Sequence, residues 1–260
     1  MKKVFTRLLF MALILPFTVK AQTSSTFPIT CGFENDAENA LWTIQNGNSA
    51  NKFFIGTAVN NGGTKSLYIS NDANGATNSY TNTVKYFAFA YREFTLATAA
   101  GLIFEYDWKL QGEGSFDYLR VFLMPSEQTL TPYGGPNTQT PVGSNYLPSG
   151  CIALDGGNRL SGSTTWQSVE TEEINLQAGS YKLVFFWKND DGGGTNPPAA
   201  IDNVVIRQET CPTPATLQVT NVTYNSASLA WAEMGTASQW IVEYGVSGFT
   251  QGTGDRKSVV

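Results

Sequence analysis

Apolar and polar residues alternate with a period of two through long parts of this chain. In GLIFEYDWKL, residues 101–110, Leu102, Phe104, Tyr106, Trp108 and Leu110 share one side, while Glu105, Asp107 and Lys109 share the other with Ile103. Successive side chains of an extended strand point to opposite faces, so this segment predicts a strand with one packed face and one wet face. KLVFFW, residues 182–187, is apolar on both sides, the pattern of a central strand covered by a second sheet or by loops. SLYIS, FAFAYREFTL, FDYLRVFLMP and AIDNVVIRQ add further strands, and no segment of useful length carries the i, i+3, i+4 spacing of an amphipathic helix. Glycine and proline punctuate the runs. The pattern predicts an all-β chain.

One polar residue breaks the scheme. In AIDNVVI, strict alternation puts Asp202 on the same face as Val204 and Ile206, the face predicted to point into a core. A lone buried carboxylate requires a counter-charge, a set of hydrogen bonds or a metal ion. Arg159, Arg207 and backbone amides are the candidate partners. Upstream, NDDGGGTN offers Asp190 and Asp191, but its spacing fails the EF-hand loop and the Gly-Gly-x-Gly-x-Asp repeat. A turn that uses glycine at positive φ is the reading for this loop. Asp155-Gly156 is a turn signal of the same kind.

Between Met124 and Cys151 lies a long, proline-rich insertion without periodicity. At RQETCPTPATLQV the composition breaks, with Pro212 and Pro214 closing one unit, and TLQVTNV, SASLAWA and SQWIVEYG predict strands of another. The expected organisation is residues 1–21, 22–210 and 211–260.

The first of these pieces has Lys2, Lys3 and Arg7 ahead of an apolar run from Leu8 to Phe17, with Val19 and Ala21 at the small-residue positions. That is the layout of a secretory signal peptide cut after Ala21, and the run is too short and too interrupted by Pro16 for a membrane span. Loss of Lys2, Lys3, Arg7 and Lys20 takes the formal charge from −5 to −9. An acidic exported chain, at the cell surface or released, is unsuited to nucleic acid or anionic membrane and suited to a cation. The chain has no histidine, which excludes Ser-His-Asp and Cys-His catalysis and every His-ligated metal site. Three cysteines, Cys31, Cys151 and Cys211, leave one over in a compartment that permits disulfides. Cys31 with Cys211 is the favoured pair, and three unpaired thiols is the alternative.

The succession TCGFENDAENALW, KFFIGTAVNNGGTKSLYIS, LIFEYDWKLQGEGSFDYLRVFL, TTWQSVE, AGSYKLVFFWKND and AAIDNVVI resembles the cleaved-adhesin or choice-of-anchor J family of secreted bacterial proteins, relatives of MAM domains. The resemblance covers residues 29–208 and implies a two-sheet jelly roll. Residues 211–260 resemble the front of a fibronectin type III domain, with Trp231 and Tyr244 at inward positions. The fold class implied is a jelly-roll β-sandwich followed by a partial immunoglobulin-like sandwich, a monomeric module of a longer protein.

The same resemblance implies a calcium ion where the first and last strands meet, held by an acid of an opening FE-type motif and an acid of a closing IDD-type motif. The matching positions are Glu34 and Asp202, with Asn203 in place of a second closing acid and Asp36 as a further oxygen donor. Two carboxylates brought together repel unless a cation sits between them, and calcium accepts an irregular shell of oxygens.

For function, glycoside hydrolysis is the enzyme class that needs only two carboxylates, and Glu105, Asp107, Glu113 and Asp117 are the acids near the aromatic strands. Glu105 and Asp107 fall on a solvent face, which argues against a pair across a cleft. Aromatic side chains suit sugar rings or protein partners. Trp108 and Trp187 read as core, and Tyr133 and Tyr146 in the insertion are the candidate contacts. The expectation is a non-catalytic, calcium-stabilised adhesion or ligand-binding module for an extracellular glycan or protein, the alternative being an accessory module of a larger secreted hydrolase or protease.

Overall fold

The computed structural model describes residues 24–133, 146–209, 214–234, 237–250 and 252–259. Segment 1–21 and Cys211 therefore lie outside the described residues. In chain order the elements are β1 (Ile29–Cys31), α1 (Asp36–Asn39), β2 (Trp42–Gln45), β3 (Lys52–Gly56), β4 (Ser66–Ser70), β5 (Tyr86–Leu96), β6 (Ala100–Leu110), β7 (Tyr118–Pro125) and β8 (Ile152–Ala153). There follow β9 (Ser163–Glu170), β10 (Ile174–Leu176), β11 (Gly179–Asn189), β12 (Ala200–Gln208), β13 (Ala215–Thr220), β14 (Ser228–Ala232), β15 (Trp240–Tyr244) and β16 (Asp255–Val259). The single turn of helix, α1, is started by Asn35, whose side chain accepts the N–H groups of Ala37 and Glu38.

Two antiparallel sheets face each other. One runs β10-β6-β12-β4-β3, with β1 also on β12 and β9 also on β6; the other runs β2-β5-β11-β7-β8. From β4 onward the chain passes repeatedly between them: β5 in the second, β6 in the first, β7 and β8 in the second, β9 and β10 in the first, β11 in the second, β12 in the first. This is a jelly-roll β-sandwich: the strand pattern predicts the all-β class, and the family resemblance implies the jelly roll.

The main core lies between the sheets. Leu102, Phe104, Tyr106, Trp108 and Leu110 of β6 enter it from one side and Leu183, Phe185 and Trp187 of β11 from the other. Trp42 stacks on Phe185 with ring centroids 5.7 Å apart, and Tyr106 meets the same ring edge-on. Truncation of a ring this buried costs about 3–5 kcal/mol. Strand β11 is central, paired with β5 on one side and β7 on the other, which is why its apolar residues run without alternation. Its other face, with Val184 and Phe186, joins Phe87, Phe89, Tyr118, Phe122 and Met124 in a second apolar cluster outside the sandwich.

Beyond Gln208 the described residues hold two separate hairpins, β13-β14 and β15-β16, where the sequence predicts part of a fibronectin type III sandwich. Trp231 and Trp240 meet edge to face at 5.3 Å. Leu217, Val222, Ile241 and Val246 are exposed, as follows for two-stranded ribbons with no second sheet over them. Among the described residues no helix is long and apolar enough to cross a membrane.

Candidate functional site

Asp202 is fully buried, yet not in the sandwich core. Strand β12 pairs with β6 at Ile201↔Trp108 and Asp202↔Asp107, then resumes at Val205↔Glu105 and Ile206↔Phe104. The missing step is a β-bulge at Asn203, whose φ of 51° is in the left-handed region that asparagine tolerates better than most residues. One extra residue resets the alternation, so Ile201, Val204 and Ile206 all enter the core. Asp202 is thereby turned to the outer face beside Asp107. This corrects the strict alternation that places Asp202 with Val204 and Ile206.

The bulge falls where the neighbouring ladder is also broken. On its second edge β12 pairs with β4 through Ala200 and Ile201 and with β1 through Val204, Val205 and Ile206. Into the gap comes Asn61, whose backbone N–H donates to Asp202 Oδ2 at 2.7 Å, while the Asn203 N–H donates to Oδ1 at 2.8 Å. Asp107 Oδ2 accepts from the side-chain amides of Asn61 (2.7 Å) and Asn203 (2.8 Å), and Oδ1 accepts from Ser168 at 2.5 Å. Asn203 also donates to the Asn61 carbonyl at 2.9 Å.

Glu34 enters from the β1 side, following Phe33 at φ 59°. Its carboxylate accepts the Thr64 N–H, the Lys65 N–H and the Thr64 hydroxyl at 2.6 to 2.7 Å, which holds it below the usual carboxylate range. Glu34 and Asp202 are thus clasped by one segment, Asn61 to Lys65. Burial pushes Asp202 up to about 6; the Asn61 and Asn203 N–H groups oppose this, and the charges of Asp107 and Glu34 add to it. The charges of Asp107 and Glu34 act on Asp202, and carboxylates are the hard donors calcium takes, but these three acids do not bring one oxygen each to within 4.8 Å of one another; among the described residues Glu113, Asp117 and Asp190 do.

Asp36 takes a different direction. Lys65 Nζ lies 2.8 Å from its Oδ1 and its side chain is 88% exposed. Asp107 is the acid that stands beside Asp202 instead, and the cross-strand register Asp202↔Asp107 is what brings it there. Neither arginine considered as a partner serves Asp202: Arg207 bonds Glu105 at 2.5 Å and Glu170 at 2.6 Å, and Arg159 sits 5.9 Å over the Tyr118 ring. Cys31 and Cys151 are free thiols, and the favoured Cys31–Cys211 pair falls on a residue outside the described ones. The Cys31 sulfur is buried beneath Trp42, whose indole N–H donates to it at 3.3 Å.

On the opposite side of the molecule the two described ends of the insertion lie against the outer face of the five-stranded sheet. Tyr146 lies tilted against Phe186 with centroids 4.4 Å apart and meets Phe89 and Phe122, while Tyr133 packs edge-on against Tyr86 and Phe87. Both tyrosines are half-buried at the border of this aromatic shelf. Lys182, buried in the middle of β11, donates to the carbonyls of Ser126 and Gln128 at 2.7 Å and anchors the start of the insertion.

The four acids weighed for hydrolysis fall in three places. Glu105 is ion-paired with Arg207, Asp107 belongs to the Asp202 cluster, and Glu113 and Asp117 lie together near Asp190. Asp117 is fully buried and accepts from Tyr80 and from a backbone N–H, a poor position from which to reach a glycosidic oxygen.

No protein-family model matches the chain, and no curated protein matches it. Among solved structures it is similar to TmCBM61 in complex with β-1,4-galactotriose (14% identity, 65% of this chain and 88% of that one, TM-score 0.36). It is also similar to the CBM22-1 xylan-binding domain from Paenibacillus barcinonensis Xyn10C (12% identity, 72% and 97%, TM-score 0.41). A third is a family 35 carbohydrate-binding module from Clostridium thermocellum (16% identity, 70% and 98%, TM-score 0.32).

Proposed function

We propose that the chain is an exported, non-catalytic ligand-binding or adhesion module that presents Tyr133 and Tyr146, at the border of a buried aromatic cluster, to an extracellular glycan and is stabilised by calcium. The observation that carries the reading is the placement of these two rings. Phe87, Phe89, Phe122 and Phe186 on the outer face of one sheet are buried, and Tyr133 and Tyr146, packed over them at the border, are half-buried and keep ring surface for a ligand. Partly exposed aromatic rings of this kind stack on the apolar faces of sugars.

Calcium would be held by Glu34, Asp107, Asp202 and the amide oxygen of Asn203. When bound it supplies positive charge to a buried carboxylate that has none, and ties the outer loop to the bulge in β12. No step of chemistry is assigned to it.

A glycan array probed with the mature chain tests the ligand class. Retention of at least one glycan is expected, with Tyr146→Ala and Tyr133→Ala each weakening it by roughly three- to tenfold, the worth of one aromatic stacking contact. An array on which nothing is retained overturns the glycan reading. Polysaccharide cleavage lost in Asp117→Asn would overturn the non-catalytic one.

A further inference from the structure

At the other end of the strands, Glu113, Asp117 and Asp190 converge. The turn after β6 carries Glu113 and Asp117 into β7, and Asp190 follows directly on β11. Gly112 and Thr195 exchange backbone hydrogen bonds of 3.0 and 3.3 Å, which lays the glycine-rich loop on that turn. One carboxylate oxygen from each of the three acids lies within 4.8 Å of the other two.

The three acids outnumber the cations around them: the Lys188 charge reaches Asp190 and Asp117 but forms no ion pair with either. Asp117, fully buried, accepts the Tyr80 hydroxyl at 2.5 Å and the Asp190 N–H at 2.9 Å, both neutral donors. Glu113 Oε2 is sealed from solvent and has no hydrogen-bond partner. A buried anionic oxygen without a partner calls for a cation. Among the described residues none of the three acids forms an ion pair: Lys85 reaches Asp191 at 3.5 Å, and Lys188 donates to the Phe116 carbonyl and lies 5.4 Å over the Tyr118 ring. The glycines close the site. A Cβ on Gly193 would overlap the Glu113 carboxylate, and one on Gly194 would overlap Asp117 Oδ2 and the Tyr80 hydroxyl.

We propose that Glu113, Asp117 and Asp190 form a second divalent-cation site, which takes Ca2+ and pins the 190–195 loop to the turn between β6 and β7. The donors are carboxylate oxygens with no nitrogen or sulfur among them, which selects a hard ion over zinc or copper. Calcium accepts an irregular set of protein oxygens and completes its shell with water. This site shares no residue with the Glu34–Asp107–Asp202 cluster, so either can hold an ion without the other.

Terbium, which substitutes for calcium at oxygen sites, gives a direct readout here. Tyr80 touches Asp117 and stands edge-on to Trp187 at 5.3 Å, so excitation of these rings sensitises an ion bound between the acids. The experiment titrates Tb3+ into chelator-treated mature protein and competes it with Ca2+. Asp190→Asn keeps both the backbone N–H given to Asp117 and an Oδ1 for the Gly192 N–H, so it preserves the loop while removing a charge. The expected result is sensitised emission that Ca2+ displaces, weakened at least tenfold in Asp190→Asn and in Glu113→Gln and retained in Asp202→Asn. Emission absent from the wild type, or unchanged in both Asp190→Asn and Glu113→Gln, overturns the proposal. Emission lost in Asp202→Asn alone assigns the ion to the Glu34–Asp107–Asp202 cluster and likewise overturns it.

Discussion

Asp202 and Asp117 are both fully buried aspartates, and both are raised above the ordinary carboxylate range chiefly by burial. Their surroundings differ. Asp202 sits at a break in a strand ladder, where two backbone N–H groups aim at its oxygens and Asn61 and Asn203 lie between it and Asp107. Asp117 sits under a loop that presses glycine backbone against it, beside a glutamate oxygen with no partner. In the first place the fold has satisfied the acid's hydrogen bonds without meeting its charge. In the second it has left part of the hydrogen bonding unmet as well. The lesson is that burial alone does not mark a cation site; what remains unpaired does.

The largest effect should come where backbone and acid are in contact. Gly194→Ala puts a side chain at φ 78° and drives its Cβ into Asp117 Oδ2 and the Tyr80 hydroxyl. Positive-φ strain and the overlap together predict a loss of about 3 kcal/mol or more in unfolding free energy. Denaturant melts that place Gly194→Ala within about 0.5 kcal/mol of wild type, the usual reach of a surface change, would show that the loop is free to move away from the acids.

Next in size is Asp202→Ala. It takes the acceptor from the Asn61 and Asn203 N–H groups, a predicted cost of about 2 kcal/mol in saturating calcium. In chelator the cost shrinks, because the substitution also removes a charge that Asp107 and Glu34 repel. Chelation is expected to lower Tm in the wild type by mass action and to lower it less in Asp202→Ala. An equal chelator shift in the two proteins would remove calcium from this cluster.

What the sequence made legible follows the range of the interactions. The alternation in GLIFEYDWKL and the unbroken apolar run of KLVFFW are set by neighbours one and two positions away, and the structure has both strands as they predict. The bulge at Asn203 was not legible, since a single extra residue leaves no periodic trace; the only signal is an asparagine after the acid. Asp107 was read as a solvent-face residue, and it is one, but the register across to β12 makes that face the acid site. The Glu113, Asp117 and Asp190 group depends on a loop from β11 lying on a turn from β6, a contact no local pattern encodes. The NDDGGGTN loop turns at positive φ through Gly193 and Gly194, as its composition predicts. What it turns onto was hidden. Cys31 and the two tyrosines of the insertion likewise take their places from packing against Trp42, Phe87 and Phe186.

The pH response sharpens the comparison further. In chelator-treated protein the folded-state value of Asp202, about 6, lies above its value in an unfolded chain. The folded state therefore holds an extra proton between roughly pH 4 and 6, and stability from this group falls as pH rises through that window, by on the order of 1–2 kcal/mol. With calcium saturating, deprotonation favours the ion and the slope reverses. A thermal-melt series at pH 4.5, 5.5 and 6.5 (about the span of that window) checks the sign, and Asp202→Asn should flatten its part of both curves. A chelated protein whose Tm climbs steadily across the window would mean that Asp202 ionises without penalty.

The smallest predicted effect concerns a glycine in the segment that covers Asp202. Gly62 has φ 85°, and a Cβ there would meet no atom within 4 Å. Gly62→Ala therefore carries only the left-handed penalty of an L side chain, about 1 kcal/mol, against the threefold larger figure for Gly194→Ala. Both glycines sit over a buried aspartate and both are at positive φ, so the pair isolates the contribution of close packing on the acid. Chelator should leave the Gly62→Ala penalty unchanged, since its side chain reaches neither acid. If Gly62→Ala proved as damaging as Gly194→Ala, the loop over Asp202 would be as tightly seated as the one over Asp117, and the contrast drawn between the two sites would fail.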